Sequence, residues 1–397
     1  MNDMNQYIIS AIKAALTDWE LELPDYEIDW NELFLMAEEH KVTCMVGLGL
    51  TAVMDKMPAD VKVKFQRAIN KSIMLDANQE YAAKEITDGF EKKSLKYMLM
   101  KGYNLKKLYP ETYMRYMCDI DVLIDNAKYE KYESVMTGLS YEKQIESDHE
   151  HIFVKKPMIN VELHKRIVPS YYADLYSYYK DGWALAVKKN DGSGYQYSLE
   201  NQYVFLIVHL AKHYQGSGIG ISHFVDIFVM NKNVDYDKKY VGEELQKLGL
   251  KEFHEKVLKL IEFWFEGGDA DDIILDMSEF VFSSGAYGNF SNRIATETMN
   301  GIKKYGSEGK AKLIKKLEVI FPSGKRLSEN FKILKKYPWL YPFCLIWRNV
   351  RAVFFRRDKV KKYMDGINGN DETHMNRLAV HLSDVGLKNT EKRREEL

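Results

Sequence analysis

The chain is sparing with several residue types and patterns, and each scarcity excludes a class of protein. Only three cysteines occur in 397 residues. Cys44, Cys118 and Cys344 lie far apart in no metal-ligating spacing, so neither a disulfide scaffold nor a zinc ribbon is expected. The odd count reads as free thiols of a reducing compartment. Prolines number eight, leaving few enforced helix stops and favouring a mainly helical chain. No apolar run approaches the roughly 20 residues of a membrane span; the richest, 339–347, is short and contains Pro342. Residues 1–16 read as a mildly amphipathic helix without the basic start and apolar centre of a signal sequence. An excess of one charge is missing too, with 57 basic against 58 acidic residues and a net charge of −1. That argues against a protein that coats nucleic acid as a whole, but not against a local basic patch. No internal repeat or low-complexity tract appears. A soluble cytoplasmic protein without stable membrane insertion is expected.

What is present is the composition of a globular protein, 46% hydrophobic and 29% charged. The length suits two or three domains. Helical spacing of Ile8, Ile9, Ile12 and Ala15, and of Trp30, Leu33, Phe34 and Ala37, predicts an N-terminal helical domain over 1–95. Asp29 or Asn31 is placed to cap the second helix. A long helix is expected over 76–96 with Tyr81, Ile86 and Phe90 inward. The character changes at Lys96, and strands are expected at 97–101, 117–124, 150–155 and 158–164, with helices at 104–108 and 127–139 between them. This α+β unit of three to five strands is placed at 96–235, its later part helical again from about Ser170. Amphipathic helices fill 236–397, interrupted by a loop at 366–376 and ending in a polar tail from Glu391.

The chemistry concentrates in residues 98–125. Asp119 and Asp121 alternate with Ile120, Val122 and Ile124. In a strand the two carboxylates share a face, about 7 Å apart, while the aliphatic residues face the core. Two carboxylates on such a strand repel each other and need a cation, a proton or open water between them. Lys101-Gly102 ends the preceding strand, where glycine lets a phosphate approach the backbone. Arg115, four residues before Asp119, offers a two-pronged fork to phosphate. A later strand puts Asn160, Glu162 and His164 on one face and Val161 and Leu163 on the other. Three carboxylates on neighbouring strands suit two Mg²⁺ ions sharing phosphate oxygens. On spacing alone, a pair of solvated edge-strand charges fits Asp119 and Asp121 equally well, since Asp-x-Asp is common.

The set Lys101-Gly102, Leu108-Tyr109-Pro110, Arg115, Asp119-Ile-Asp121-Val-Leu-Ile124 and Val161-Glu-Leu-His164 resembles the uncharacterised nucleotidyltransferase family of the DNA polymerase β-type superfamily. The similarity covers roughly residues 95 to 230. It implies a small mixed-sheet nucleotidyltransferase core flanked by helical regions, with Asp119, Asp121 and Glu162 as catalytic metal ligands and Glu162 activating the acceptor hydroxyl. One departure stands out: the superfamily's usual Gly-Ser phosphate turn is Gly102-Tyr103 here, with Lys101 as the compensating charge. The implied reaction is Mg²⁺-dependent transfer of a nucleoside monophosphate from an NTP such as ATP to a hydroxyl or phosphate acceptor, releasing pyrophosphate. The alternative is a catalytically silent module of the same fold that binds a nucleotide or a protein and regulates.

Three further groups stand beside this core. His209 and His213 lie four apart on one helix face, but Leu210 stands where a zinc protease needs glutamate, so that reading fails. The resemblance allows His209, His213 and Asp226 a nucleotide- or substrate-facing role; packing is the plainer account. His149 and His151, beside Asp148 and Glu150, are placed on one strand face, as a metal site or as a polar sheet edge. Residues 345–362 carry Arg348, Arg351, Arg356, Arg357, Lys359, Lys361 and Lys362 against Asp358, with Trp347, Val350 and Phe354 interleaved. Such a helix suits an anionic membrane or an RNA backbone; the favoured expectation is a helix packed by its aromatic face. Nucleic acid is thus an admissible partner but not the favoured one.

Overall fold

A computed structural model describes residues 1–147, 149–157, 159–169, 173–189, 192–331, 333–355, 357–369 and 372–387. Asp148, Met158, Ser170, Arg356, the Lys359 side chain and the tail from Glu391, all singled out above, lie outside the described residues. The chain forms two compact units. The first comprises Met1–Ala211, Ile219–Ala286 and residues 385–387; the second comprises Lys212–Gly218 and Tyr287–Asp384.

The first unit opens with helices α1 (Asp3–Leu16), α2 (Trp30–Glu39), α3 (Thr43–Gly49) and α4 (Ala59–Lys92). Local chemistry sets their ends. Asn2 accepts the Asn5 N–H at the start of α1, and Asp29 accepts those of Asn31 and Glu32 at the start of α2. In α4 the inward stripe is Gln79, Ala82, Ala83, Ile86 and Phe90. Tyr81 falls out of phase with that stripe and is 70% exposed, so its expected inward position is wrong.

The sheet follows: β1 (Tyr97–Leu99), α5 (Gly102–Leu105), β2 (Ile120–Ile124), α6 (Tyr129–Gly138), β3 (Glu142–Glu146), β4 (Glu150–Lys155), β5 (Ile159–His164), α7 (Ala173–Tyr179), β6 (Ala186–Lys188) and β7 (Gly194–Tyr197). Its order is β3-β4-β5-β2-β1-β7-β6, mixed in direction. Among the described residues, seven strands replace the expected three to five. The additional β3 and β6 are polar edge strands, and β7 joins through a parallel pairing with β1, so none carries a clear apolar alternation. The centre is legible: β2 and β5 run parallel with Asp121 opposite Glu162. Ile120, Val122, Ile124, Val161 and Leu163 are fully buried in a core with Phe90, Tyr132 and Phe153. The remaining helices here are α8 (Leu199–Ser217), which runs on into the second unit, α9 (Ser222–Asn233), α10 (Lys238–Lys247), α11 (Lys251–Ile261) and α12 (Asp272–Ser284).

The second unit adds α13 (Phe290–Tyr305), α14 (Glu308–Ile320), α15 (Gly324–Asn330), α16 (Ile333–Lys336), α17 (Tyr341–Phe355), α18 (Arg357–Gly369) and α19 (Glu372–Asp384). The architecture is α+β and mainly helical, as expected. Three expectations fail here, the first being the single helix read over 345–362, which is divided between α17 and α18. The loop placed at 366–376 is mostly the end of α18 and the start of α19, because buried Ile367 and Met375 outweigh the poor helix propensity of their Gly and Asn neighbours. The aromatic face of α17 is also not packed: Trp347, Val350 and Phe354 are 61%, 45% and 76% exposed.

One buried histidine in the first unit makes its stability depend on pH. His40 is fully buried; its Nε2 donates to the Phe282 carbonyl at 3.1 Å, and its Nδ1 accepts the Ile221 N–H at 3.4 Å. A proton on Nδ1 would abolish that acceptor. Burial, against a weaker opposing pull from the Phe282 carbonyl, lowers the imidazole pKa from 6.5 to about 4. The unfolded chain therefore binds more protons between these values, so stability is full above pH 6.5 and falls as pH drops toward 4. The slope from this residue is about 1.4 kcal/mol per pH unit. His40→Gln cannot titrate, so its deficit in urea midpoint against the parent protein is expected to shrink from pH 7.5 to 4.5. A constant gap would show that His40 is not the titrating group.

Candidate active site

The site grows from the ends of β1, β2 and β5. Lys101 leaves β1 with φ 46° and ψ −123°, a conformation that a residue with a Cβ rarely adopts. Such strain persists where surrounding contacts overdetermine it. Here the Lys101 ammonium donates to Asp121 Oδ1 at 2.8 Å. From the other side His164 Nε2 lies 2.6 Å from the same oxygen and 3.4 Å from Glu162 Oε2. Glu150, opposite His164 in register, brings Oε2 to 3.9 Å from His164 Nδ1 and to 3.0 Å from His149 Nε2. Asp121 and His164 are buried, and Glu162 is half-buried.

The electrostatics divide the carboxylates. Burial works to raise the Asp121 carboxyl, but the Lys101 charge and the His164 hydrogen bond outweigh it and hold it well below the usual range. Burial followed by the charges of Asp121 and Glu162 pushes Asp119 up to about 6. Burial opposes charge on Lys101, yet Asp121 keeps the ammonium pKa raised. His164 is likewise opposed by burial and by Lys101, and is raised by its hydrogen bonds to Asp121 and Glu162.

Asp121, Glu162 and His164 each offer a ligand atom within 4.8 Å of the others. Asp119 stands outside that tight group, just ahead of β2, and accepts the Cys118 thiol at 3.3 Å. The residues fit a divalent cation on the chemistry of the donor set: several carboxylate oxygens and one imidazole converge. They fit it also on charge. After burial, the charges of Asp121 and Glu162 raise the Asp119 pKa, and Lys101 only partly offsets them.

The residues expected to hold phosphate are arranged differently. Arg115 spends its fork on Asp226, with Nε to Oδ1 at 2.7 Å and Nη2 to Oδ2 at 2.8 Å. Tyr109 donates to Asp226 Oδ1 as well, at 2.7 Å. A Cβ on Gly102 would meet Arg115 Nη1 at 2.2 Å, so the glycine makes room for the guanidinium. Tyr103, the residue in the usual serine position, is buried and donates to Glu80 at 2.9 Å, toward α4.

His209 stacks on His223 with ring centres 5.7 Å apart. Sequence reading passed over His223, which sits three residues before Asp226 on α9. Burial, partly offset by Asp226 and reinforced by Arg115 and Lys101, lowers its pKa to about 4. Its position within one helical turn of Asp226 was the available signal. His213 belongs to the second unit. His149 and His151 do not share a strand face as expected: His149 precedes β4 and its ring lies 6.1 Å from that of His164, whereas His151 is buried and stacked on Tyr129 at 3.7 Å.

Residues 26–266, well over half of the chain, match the model of a protein family described as uncharacterised nucleotidyltransferase. No curated protein and no solved structure matches.

Proposed function

The chain belongs to the uncharacterised nucleotidyltransferase family, and from that premise we propose that its first unit moves a nucleoside monophosphate from an NTP to a hydroxyl or phosphate acceptor in a Mg²⁺-dependent reaction. The observation that carries this reading is the convergence of Asp121, Glu162 and His164 across the paired strands β2 and β5, with Asp119 alongside. In the proposed step an acceptor oxygen forms a bond to the α-phosphorus. The bond from that phosphorus to the bridging oxygen breaks, and pyrophosphate leaves with the electron pair. For a hydroxyl acceptor, the proton passes to the Glu162 carboxylate. Asp119, Asp121 and Glu162 would hold the metal, with two ions the expected number. When bound, Mg²⁺ would lower the pKa of the acceptor hydroxyl and offset charge on the triphosphate and the departing pyrophosphate. Lys101, raised in pKa and anchored on Asp121, adds a fixed positive charge. Arg115 acts by holding Asp226 and with it α9, and His209 of α8 lines the same wall through its stacking on His223 of α9.

A second reading has an observation of its own. Lys101 and His164 already neutralise Asp121, which suits a silent module that binds a nucleotide without turnover. The discriminating experiment incubates the full chain with each NTP and a panel of hydroxyl- and phosphate-bearing acceptors, with and without Mg²⁺, and measures pyrophosphate. Mg²⁺-dependent pyrophosphate release is expected. Calorimetric binding of NTP that is indifferent to Mg²⁺, with no pyrophosphate, would replace the transferase reading by the silent one.

A further inference from the structure

The second unit carries an apolar surface that its own folding does not use. One stripe of α17, with Tyr341, Cys344 and Leu345, packs on Leu327 and Leu334. A second stripe, Phe343, Ile346, Trp347, Val350 and Phe354, follows helical spacing and is 65%, 62%, 61%, 45% and 76% exposed. Trp339 and Phe355 extend it at the helix ends, at 69% and 82% exposed. An apolar patch of this extent is uncommon on a monomer and marks a surface that meets something.

Next to it lies a cavity of about 400 Å³ between α14, α17 and α18. Val319, Val360 and Met364 contribute apolar wall, while Arg348, Arg357 and Lys361 bring three cations. No carboxylate is among its described lining residues. Arg348 is fixed in place, donating to the Val319 carbonyl at 2.9 Å and to Asn349 at 2.8 Å. Arg351 and Lys362 are exposed nearby in sequence, and the acids between 341 and 369 are only Asp358 and Asp365.

We propose that this face docks on the surface of an anionic phospholipid bilayer, with the aromatic stripe at headgroup depth and a lipid phosphate at the Arg357–Lys361 mouth of the cavity. The charge pattern selects this occupant. The aromatic stripe and Arg348 and Arg351 of α17 lie beside Arg357, Lys361 and Lys362 of α18. Aromatic rings flanked by Arg and Lys suit a bilayer interface, where the apolar side sinks to the acyl boundary while the cations meet phosphates. A second copy of the chain, docked face to face about a two-fold axis, would set these cations against themselves. An RNA strand would use stacking rings and phosphate contacts but would leave Ile346, Val350 and the aliphatic cavity wall without a role. The docking is peripheral: among the described residues, no helix is long and apolar enough to cross a membrane. This inference stands independently of the transferase reading.

The test is flotation of the full chain with phosphatidylcholine vesicles, with and without phosphatidylglycerol, at low and high salt. Binding to the anionic vesicles, weakened by salt, is expected. The double variant Arg357→Glu, Lys361→Glu should weaken it at least about thirtyfold, since two surface cations are lost and two opposing charges gained. The double variant Trp347→Ala, Phe354→Ala should weaken it about tenfold or more. All four residues are on the surface or at the cavity mouth, and circular dichroism checks that both variants remain folded. Absence of binding by the parent protein overturns the proposal, as does unchanged binding by both folded variants. RNA binding, or self-association, that is lost in these variants while vesicles are ignored likewise overturns it in favour of that other occupant.

Discussion

Asp119→Asn is expected to make the protein more stable and catalytically dead at once. At pH 7.5 the Asp119 carboxylate is held charged in a place that disfavours it, since burial and the charges of Asp121 and Glu162 raise its pKa from 3.8 to about 6. The sign follows from the native state binding this proton more tightly than the unfolded chain does. The favourable contribution is complete below pH 3.8 and is lost as pH rises to about 6. Above that, the ionised group costs on the order of 1–3 kcal/mol. Asparagine removes the charge and keeps the shape, so without metal the variant should melt several degrees higher, with the gain fading below pH 4. Turnover should fall by at least about 10²–10³, the scale set by removing one group that stabilises transition-state charge. Asp121→Ala should be as inactive but less stable, because Lys101 and His164 both lose their buried partner. Full Mg²⁺-dependent turnover in both variants would remove the metal-site reading. An Asp119→Asn protein that melts lower than its parent would show that the repulsion is not there.

Asp226→Asn carries the second large effect, on stability. Asp226 and Arg115 have side chains only 4% and 16% exposed, and Tyr109 shares the carboxylate. Burial opposes charge on Arg115, but Asp226 holds the guanidinium strongly protonated. Asparagine accepts with one oxygen and carries no charge, so a buried cation is left uncompensated. Breaking such a pair costs about 3–5 kcal/mol. Denaturant midpoints should register that loss, and the double variant Arg115→Met, Asp226→Leu should recover most of it. Gly102→Ala should act in the same direction, since its methyl would press on the guanidinium. If instead Asp226→Asn unfolds like the parent protein and weakens only nucleotide binding, Asp226 faces the ligand.

These two variants separate what was readable from the chain and what was not. The strand pair β2–β5 was readable because period-two alternation is local: Ile120, Val122 and Ile124 mark one face, leaving Asp121 on the other, and Val161 and Leu163 do the same for Glu162 and His164. Helices α1 and α2 were readable because helical periodicity is likewise local, with Asp29 as a local cap. The family resemblance rested on this stretch and extends, by the family match, over residues 26–266.

Partnerships across long sequence separations were not readable. Arg115 and Asp226 lie 111 residues apart, and either alone reads as a group for a ligand; only folding makes them each other's partner. His164 looked like a neighbour of the metal site and became the closest contact of Asp121 once two strands 43 residues apart lay side by side. Over 345–362 the sequence by itself determined that the stretch is helical, amphipathic, aromatic and basic, and the aromatic part of it is α17. Which of its two apolar stripes would be used was decided by the tertiary structure. Leu327 and Leu334 cover the stripe around Leu345 and leave the one around Trp347 open. Periodicity states that a face is apolar, and the surface that covers it comes from elsewhere in the chain.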